Sequence, residues 1–479
     1  MFLLATLALV LSGPVGAPGS STTSSTTPVT TTSATPGASA ELSSEVLAAV
    51  IARVSRAYVP SYSRQTKLAC SVCHYGFPQL TPIGRAFKLN GYTLTGLQSI
   101  TAQADSASRL QLNLSPIAPL AVMAIASATT TSRALPGALA TTTQFPQQLS
   151  LFASAAISDK MGIFSQFTYE DQSGTFGIDN VDVRFATHKT IRQHDAVLGL
   201  TLHNNPTVQD VWNTTPAWSY PFTSSAVAPS PAASTLIDGR LAQSVLGLGA
   251  YSLYNDLLYT EVSGYVSAPQ GVALPLDSSA TNTVRSISPY WRIALQHQFA
   301  VDYLMLGTFG MSSELYPTGV TGSTDRYTDV GIDAQVEHKL ENGVVIGRAS
   351  YIHEKQNLAA SFAAGASQNG SNTLGSYRLS VSYMPSQTYA LTVGAFGSSG
   401  KSDNVLYAPS PVNGSSTSSP ASNGETLEAA VNPWLNVRLG AQYVFYQKFN
   451  GASQNYDVPV NGRSAKNNNA LYLYVWLAY

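Results

Sequence analysis

Over the last ten residues, ALYLYVWLAY, apolar side chains recur at every second position, so that Leu471, Leu473, Val475, Leu477 and Tyr479 share one face of an extended chain. A period of two predicts a β-strand with one apolar side. In LNVRLGAQYVFYQ, Leu435, Val437, Leu439, Ala441 and Tyr443 share a face, and Asn436, Arg438, Gly440 and Gln442 take the other. In YRLSVSYMPSQTYALTVGAF, Leu379, Val381 and Tyr383 lie on one side; after a tight turn at 385–388, Tyr389, Leu391 and Val393 resume the pattern. A soluble sandwich would alternate too, so the connections decide between them. Short turns near 158–162, 188–195, 254–257, 339–343, 385–388 and 432–434 alternate with longer Ser/Gly/Pro/Asn-rich stretches near 204–240, 267–285, 313–325, 355–374, 398–423 and 450–466. Short turns at one end and long loops at the other are the pattern of an outer-membrane barrel. Strands are predicted to start near 109, 147, 163, 178, 196, 241, 258, 286, 301, 326, 344, 375, 389, 424, 435 and 468, about sixteen in all and even in number as that class requires.

Composition agrees with that reading. Only 11% of the 479 residues are charged, whereas soluble domains carry about 25%. There are 25 Tyr, and no run of about 18 apolar residues that would cross a membrane as a helix. The expected fold is therefore all-β: a transmembrane antiparallel barrel in the outer membrane of a Gram-negative bacterium, with one strand face on lipid and the other on a polar lumen. The formal net charge of -1 and the absence of a basic patch argue against nucleic acid as a partner.

The apolar start, MFLLATLALVLSG, reads as a signal peptide over 1–18, although no Lys or Arg precedes it; cleavage after Ala17 or after Ala40 would suit it. Residues 19–58 are rich in Ser, Thr, Pro and Ala and read as a linker. Residues 59–105 form a small helical module, and 106–479 the barrel.

The chain uses cysteine only in that module, at Cys70 and Cys73, with His74 next in sequence. In c-type haem attachment two thiols one turn apart bind the porphyrin and the adjacent imidazole turns onto the iron. A redox disulfide would not need His74 and lacks a βαβ surround, and a zinc site would need a fourth ligand. One covalent haem c on Cys70 and Cys73, with His74 as axial ligand, is the reading the motif carries. Thr81 can cap a helix over about 82–90, with Pro82 in its first turn and Gly91 at its end. Arg85 and Lys88 then share a face and suit either haem propionates or solvent; Arg64 and Lys67 pose the same choice. The second axial ligand is not legible. The other candidates are Met123, Met161, Met305, Met311 and Met384, and His188, His194, His203, His297, His338 and His353.

If the short turns face the periplasm, the module enters the barrel from that side and either hangs below it or fills the lumen. A lumen of about sixteen strands is wide enough for a plug. Electron tunnelling across an apolar band about 25 Å tall favours the plug.

PSYSRQTKLACSVCHYGFPQLTPIGRAFKLNGYTL resembles the N-terminal module of the fused monohaem cytochrome–porins, which include outer-membrane iron oxidases. NNPTVQDVWNTTPAW, residues 204–218, is similar to sequence of that family and lies in an expected external loop. The resemblance implies one haem c at Cys70, Cys73 and His74, a barrel of about sixteen strands, and electron transfer from extracellular Fe(II) inward.

The function expected is an electron conduit. Extracellular Fe(II) or another reductant gives an electron to the haem near the outer face, and a periplasmic cytochrome or copper protein takes it away. No catalytic dyad or triad is apparent, as outer-sphere transfer allows. Asp171, Asp210 and Glu314 are candidate oxygen ligands for entering iron. One alternative is a diffusion porin with a structural haem plug, which the expected Ser, Thr, Asn and Gln lumen disfavours. The other is a haem sensor or small-molecule enzyme.

Overall fold

The alternating stretches pair, each with its neighbour in sequence, into a closed antiparallel barrel of sixteen strands. They are β1 (Leu120–Thr131), β2 (Thr141–Ala153, continued by Ala155–Ala156), β3 (Met161–Glu170), β4 (Thr175–Ile191), β5 (His194–His203), β6 (Val245–Tyr254), β7 (Leu258–Ser267) and β8 (Thr281–Val284 continued by Ser288–Gln298). After them come β9 (Asp302–Thr318), β10 (Asp325–Leu340), β11 (Gly343–Asn357), β12 (Ser371–Met384), β13 (Tyr389–Gly400), β14 (Ser422–Trp434), β15 (Val437–Lys448) and β16 (Ala470–Ala478). β16 closes on β1, with Ala470 opposite Thr131 and Ala478 opposite Met123. This is a computed structural model, and it describes residues 61–94, 100–103, 111–114, 118–170, 174–268 and 276–479. The expected signal peptide and linker lie outside the described residues.

Every second residue along the strands faces outward, and most of these are apolar. Leu379, Val381, Leu391 and Val393 are exposed on that face, as are Leu200, Leu248, Ile332 and Leu427 elsewhere on the wall. At the short-turn end the exposed Phe299, Tyr383, Tyr389, Trp434 and Tyr479 form an aromatic rim, the feature that anchors a barrel at the membrane interface. A closed sheet leaves no edge unpaired, so it can stand in hydrocarbon. The protein is an outer-membrane barrel.

The strand expected from 109 is not a wall strand: Gln111–Leu114 pairs only with Ile100–Gln103, and the wall begins at Leu120. Residues 299–301 add a short turn to the six that the pattern predicts. The lumen also differs from expectation. It holds buried Asp182, Arg184, Glu261, Arg292, Asp333, Glu337, Arg348, Glu354, Glu428 and Arg438 among its neutral polar groups. An alternating strand shows which residues face inward, but these charges are few per strand and become a group only when the barrel closes.

Candidate functional site

Residues 61–94 lie inside the lumen and include the helix that Thr81, Pro82 and Gly91 predict, whereas 100–103, expected within a helical module, is a strand. Helix α1 (Ser61–Thr66) leads into α2 (Cys70–Cys73), a single turn that carries both thiols. His74 then starts a short strand, His74–Gly76, paired with Gln79–Leu80. Helix α3 (Pro82–Leu89) is capped by Thr81, whose hydroxyl accepts from the Gly84 N–H at 3.2 Å, with Pro82 in its first turn. It ends at Gly91, where φ is +70° and an added Cβ would lie 3.0 Å from the Lys160 carbonyl oxygen. Gly84 sets the packing of α3 on α2, because a Cβ there would lie 2.1 Å from the Cys73 carbonyl oxygen.

The two basic residues of α3 are neither solvated nor free for propionates. Arg85 is buried in an ion pair with Glu337 and lies 4.2 Å over the Tyr303 ring. Lys88 donates to the Val208 and Asp210 carbonyls at 2.7 and 2.8 Å, 5.0 Å from the Trp218 ring. Arg64 donates to the Ala118 and Leu120 carbonyls, and Lys67 is exposed. Further bonds tie the module to the wall: Tyr75 donates to Glu337 at 2.9 Å, Tyr92 to Asp182 at 2.7 Å, and Arg348 to Gln79 at 3.0 Å.

The loop between β5 and β6, expected outside, turns into the lumen instead. Residues 207–215 are buried there, among them Val208, Val211 and Trp212. Asp210 organises the turn by accepting from the N–H groups of Trp212, Thr214 and Thr215 at 3.0, 2.9 and 3.1 Å. Arg292 stands 3.5 Å from Asp210 and 2.6 Å from Asp333. Burial opposes the charge on Asp210, but Arg292 and these N–H groups prevail and hold its carboxyl below the usual carboxylate range. The two stretches quoted above, in the module and at 204–218, thus meet: Lys88 bonds to Val208 and Asp210, and the Leu80 N–H to Asn213 at 3.2 Å.

Between module, loop and wall lies a cavity of about 540 Å³, within the range of roughly 300–1,000 Å³ typical of small-molecule and cofactor sites. Cys70, Cys73, His74, Phe77 and Phe87 line it from the module, Trp218 and Phe222 from the loop, and Met123, Ile125, Phe152, Phe164 and Trp476 from the wall. Both thiols are free, and burial pushes each above its usual range, opposite to what a redox Cys-x-x-Cys needs. Burial pushes the His74 imidazole down to about 4, against a weaker opposing effect of the Pro78 and Gln79 backbone, which keeps the ring neutral as a metal ligand must be. Its Nδ1 is buried without a hydrogen-bond partner. Two thiols and a neutral imidazole on one wall of an aromatic cavity are a set that could hold a c-type haem. The Cys70–His74 turn lies toward the short-turn end, beside Gln387, Asn432 and Leu435, while the cavity reaches from Ala121 and Ala478 at that end up to Asp179 and Asn180 of β4.

Two of the candidate iron-entry residues, Asp210 and Glu314, do not come together. Asp171 lies outside the described residues, Asp210 is the inward turn's buried anchor, and Glu314 pairs with Arg326 and Arg285 on the outward face of β9. Among the described residues no three His, Cys, Asp or Glu side chains gather as a metal site.

No protein-family model matches the sequence, and no curated protein matches it. Solved outer-membrane barrels are similar in structure. OmpT of Vibrio cholerae is 8% identical with a TM-score of 0.41, covering 76% of this chain and 97% of its own. An anion-selective porin from Comamonas acidovorans is 11% identical with a TM-score of 0.44, covering 75% and 98%. The outer membrane channel DcaP of Acinetobacter baumannii is 12% identical with a TM-score of 0.39, covering 75% and 96%.

Proposed function

We propose that this chain is an electron conduit of the fused monohaem cytochrome–porin kind, holding one haem c on Cys70, Cys73 and His74 inside the barrel. The observation that carries the reading is that this Cys-x-x-Cys-His turn lines an aromatic cavity within the lumen rather than hanging free in the periplasm. When bound, the haem supplies a one-electron centre. The protein's own part is positional. Gly84 lets α3 lie against the carbonyl of Cys73, and Arg85 and Lys88 lock α3 to wall and loop. An extracellular reductant, for which Fe(II) is our proposal, delivers the electron, and a periplasmic cytochrome or copper protein removes it at the short-turn end. Outer-sphere transfer needs no proton donor or acceptor, so no such residue is assigned.

A second reading, a diffusion porin with a structural plug, has one observation in its favour: the lumen carries more charge than the sequence suggested. Those charges are largely paired with each other or with module and loop, as in Arg85–Glu337 and Arg292–Asp333, so they do not line an open path.

One experiment separates the readings. Purified full-length protein is stained for covalent haem, then oxidised and mixed with Fe(II) while the haem absorption bands are followed, alongside a liposome-swelling assay. Covalent haem that Fe(II) reduces, without solute flux, supports the conduit. Solute flux without reduction overturns it in favour of the porin. Cys70→Ala is expected to lose covalent haem staining; staining that persists overturns the attachment.

A further inference from the structure

We propose that Met123 supplies the second axial ligand of the haem iron, so that the metal is held between the plug and the barrel wall. The inference rests on the haem reading above and deepens it. Histidine and methionine are the side chains that complete the iron coordination of electron-transfer c haems. Among the described residues lining the cavity, those two types occur only as His74 and Met123.

Their placement suits opposite roles. His74 belongs to the plug, whereas Met123 points inward from β1 between Ala121 and Ile125, all three lining the cavity. Met123 is 7% exposed and clusters with Ile125, Tyr472 and Tyr474, with Trp476 packed against them. Trp476 also borders the smaller pocket beside Cys70 and His74, so this stretch of wall faces the haem-binding turn.

The competing donors are engaged elsewhere. His203 bonds to Tyr265 at 2.6 Å and to Thr201 at 3.1 Å. Met305, Met311 and Met384 pack in three other clusters. The Lys88 amine reaches the cavity but already donates to two carbonyls. The thioether of Met123 needs no hydrogen bond and is a soft donor that suits haem iron. Methionine ligation raises the haem potential, which favours accepting electrons from a weak reductant.

The test uses full-length protein whose covalent haem is first verified by staining, with Met123→Leu and Met123→His beside it. Leucine keeps the volume of the wall cluster, and far-ultraviolet circular dichroism checks that the barrel is intact. Ferric wild type is expected to show the far-red sulfur-to-iron charge-transfer band. Met123→Leu should lose that band and gain binding of added imidazole, while Met123→His should lose it and lower the reduction potential. Covalent haem with no such band in wild type, or with the band kept in Met123→Leu, overturns the ligand assignment and leaves the haem reading standing. Absence of covalent haem in wild type overturns both.

Discussion

Gly84 has no side chain, and the site depends on that. An added Cβ would meet the Cys73 carbonyl oxygen at 2.1 Å and its carbon at 3.0 Å, and both are backbone atoms that cannot rotate away. Alanine would gain roughly 1 kcal/mol of helix propensity over glycine. Overpacking of this kind typically costs ~1–3 kcal/mol, and a contact this short against backbone puts it at the upper end. Gly84→Ala is therefore expected to shift α2 and reduce haem incorporation at unchanged barrel yield, read as haem absorbance per milligram of purified protein. Equal incorporation would show that α3 does not set the position of the thiols. Arg85 and Lys88 make a related point. Their presence on one helix face is legible, but their partners, Glu337 and the carbonyls of Val208 and Asp210, lie more than a hundred residues away in the chain.

At the scale of elements, α3 was the most legible and the β5–β6 connection the least. Thr81, Pro82 and Gly91 are local signals, and the helix they predict is the one observed. The stretch from 204 to 240 is polar and rich in Ser and Pro, which signals a loop but not the side of the wall to which it turns. Its inward course hangs on Asp210, and this makes it sensitive to acid with a definite sign. The Asp210 pKa is lowered in the folded protein, so its contribution is complete above the ordinary aspartate value of ~3.9 and is lost as pH falls below that value. Release of the loop, followed by Trp212 fluorescence and by protease cutting in detergent, is expected only below about pH 4. Asp210→Asn should loosen the loop at neutral pH and remove that acid step. An identical acid profile in the variant would assign the anchoring elsewhere.

For the whole molecule the decisive quantity is sidedness. Short turns at one end and long loops at the other orient the barrel, and the module enters with its Cys-x-x-Cys-His turn toward the short-turn end. Ser386, in the β12–β13 turn, and Asn413, in the β13–β14 loop, are both exposed. In intact cells a membrane-impermeant maleimide is expected to label Asn413→Cys and not Ser386→Cys, and both should label after lysis. The reverse pattern would turn the barrel around and put the Cys-x-x-Cys-His turn nearest the outside.

The sequence by itself determined nearly all of the wall strands, their outward faces, the Cys-x-x-Cys-His triplet and the capped helix beside it. Each of these depends on neighbours along the chain: an alternation of period two, a Cys-x-x-Cys-His spacing, or a Thr-Pro start with a Gly stop. The first wall strand was misplaced because 111–114 is extended too, and nothing local says that its partner is 100–103 rather than the barrel. Closure decided the rest. Only when β16 meets β1 do the scattered inward charges become ion pairs, the β5–β6 loop find carboxylate and arginine partners, and Met123 come to share a cavity with His74. The physical reason is that a buried charge or an inward loop is stable only with its partner present. Those partners are fixed by the ring of strands, not by distance along the chain.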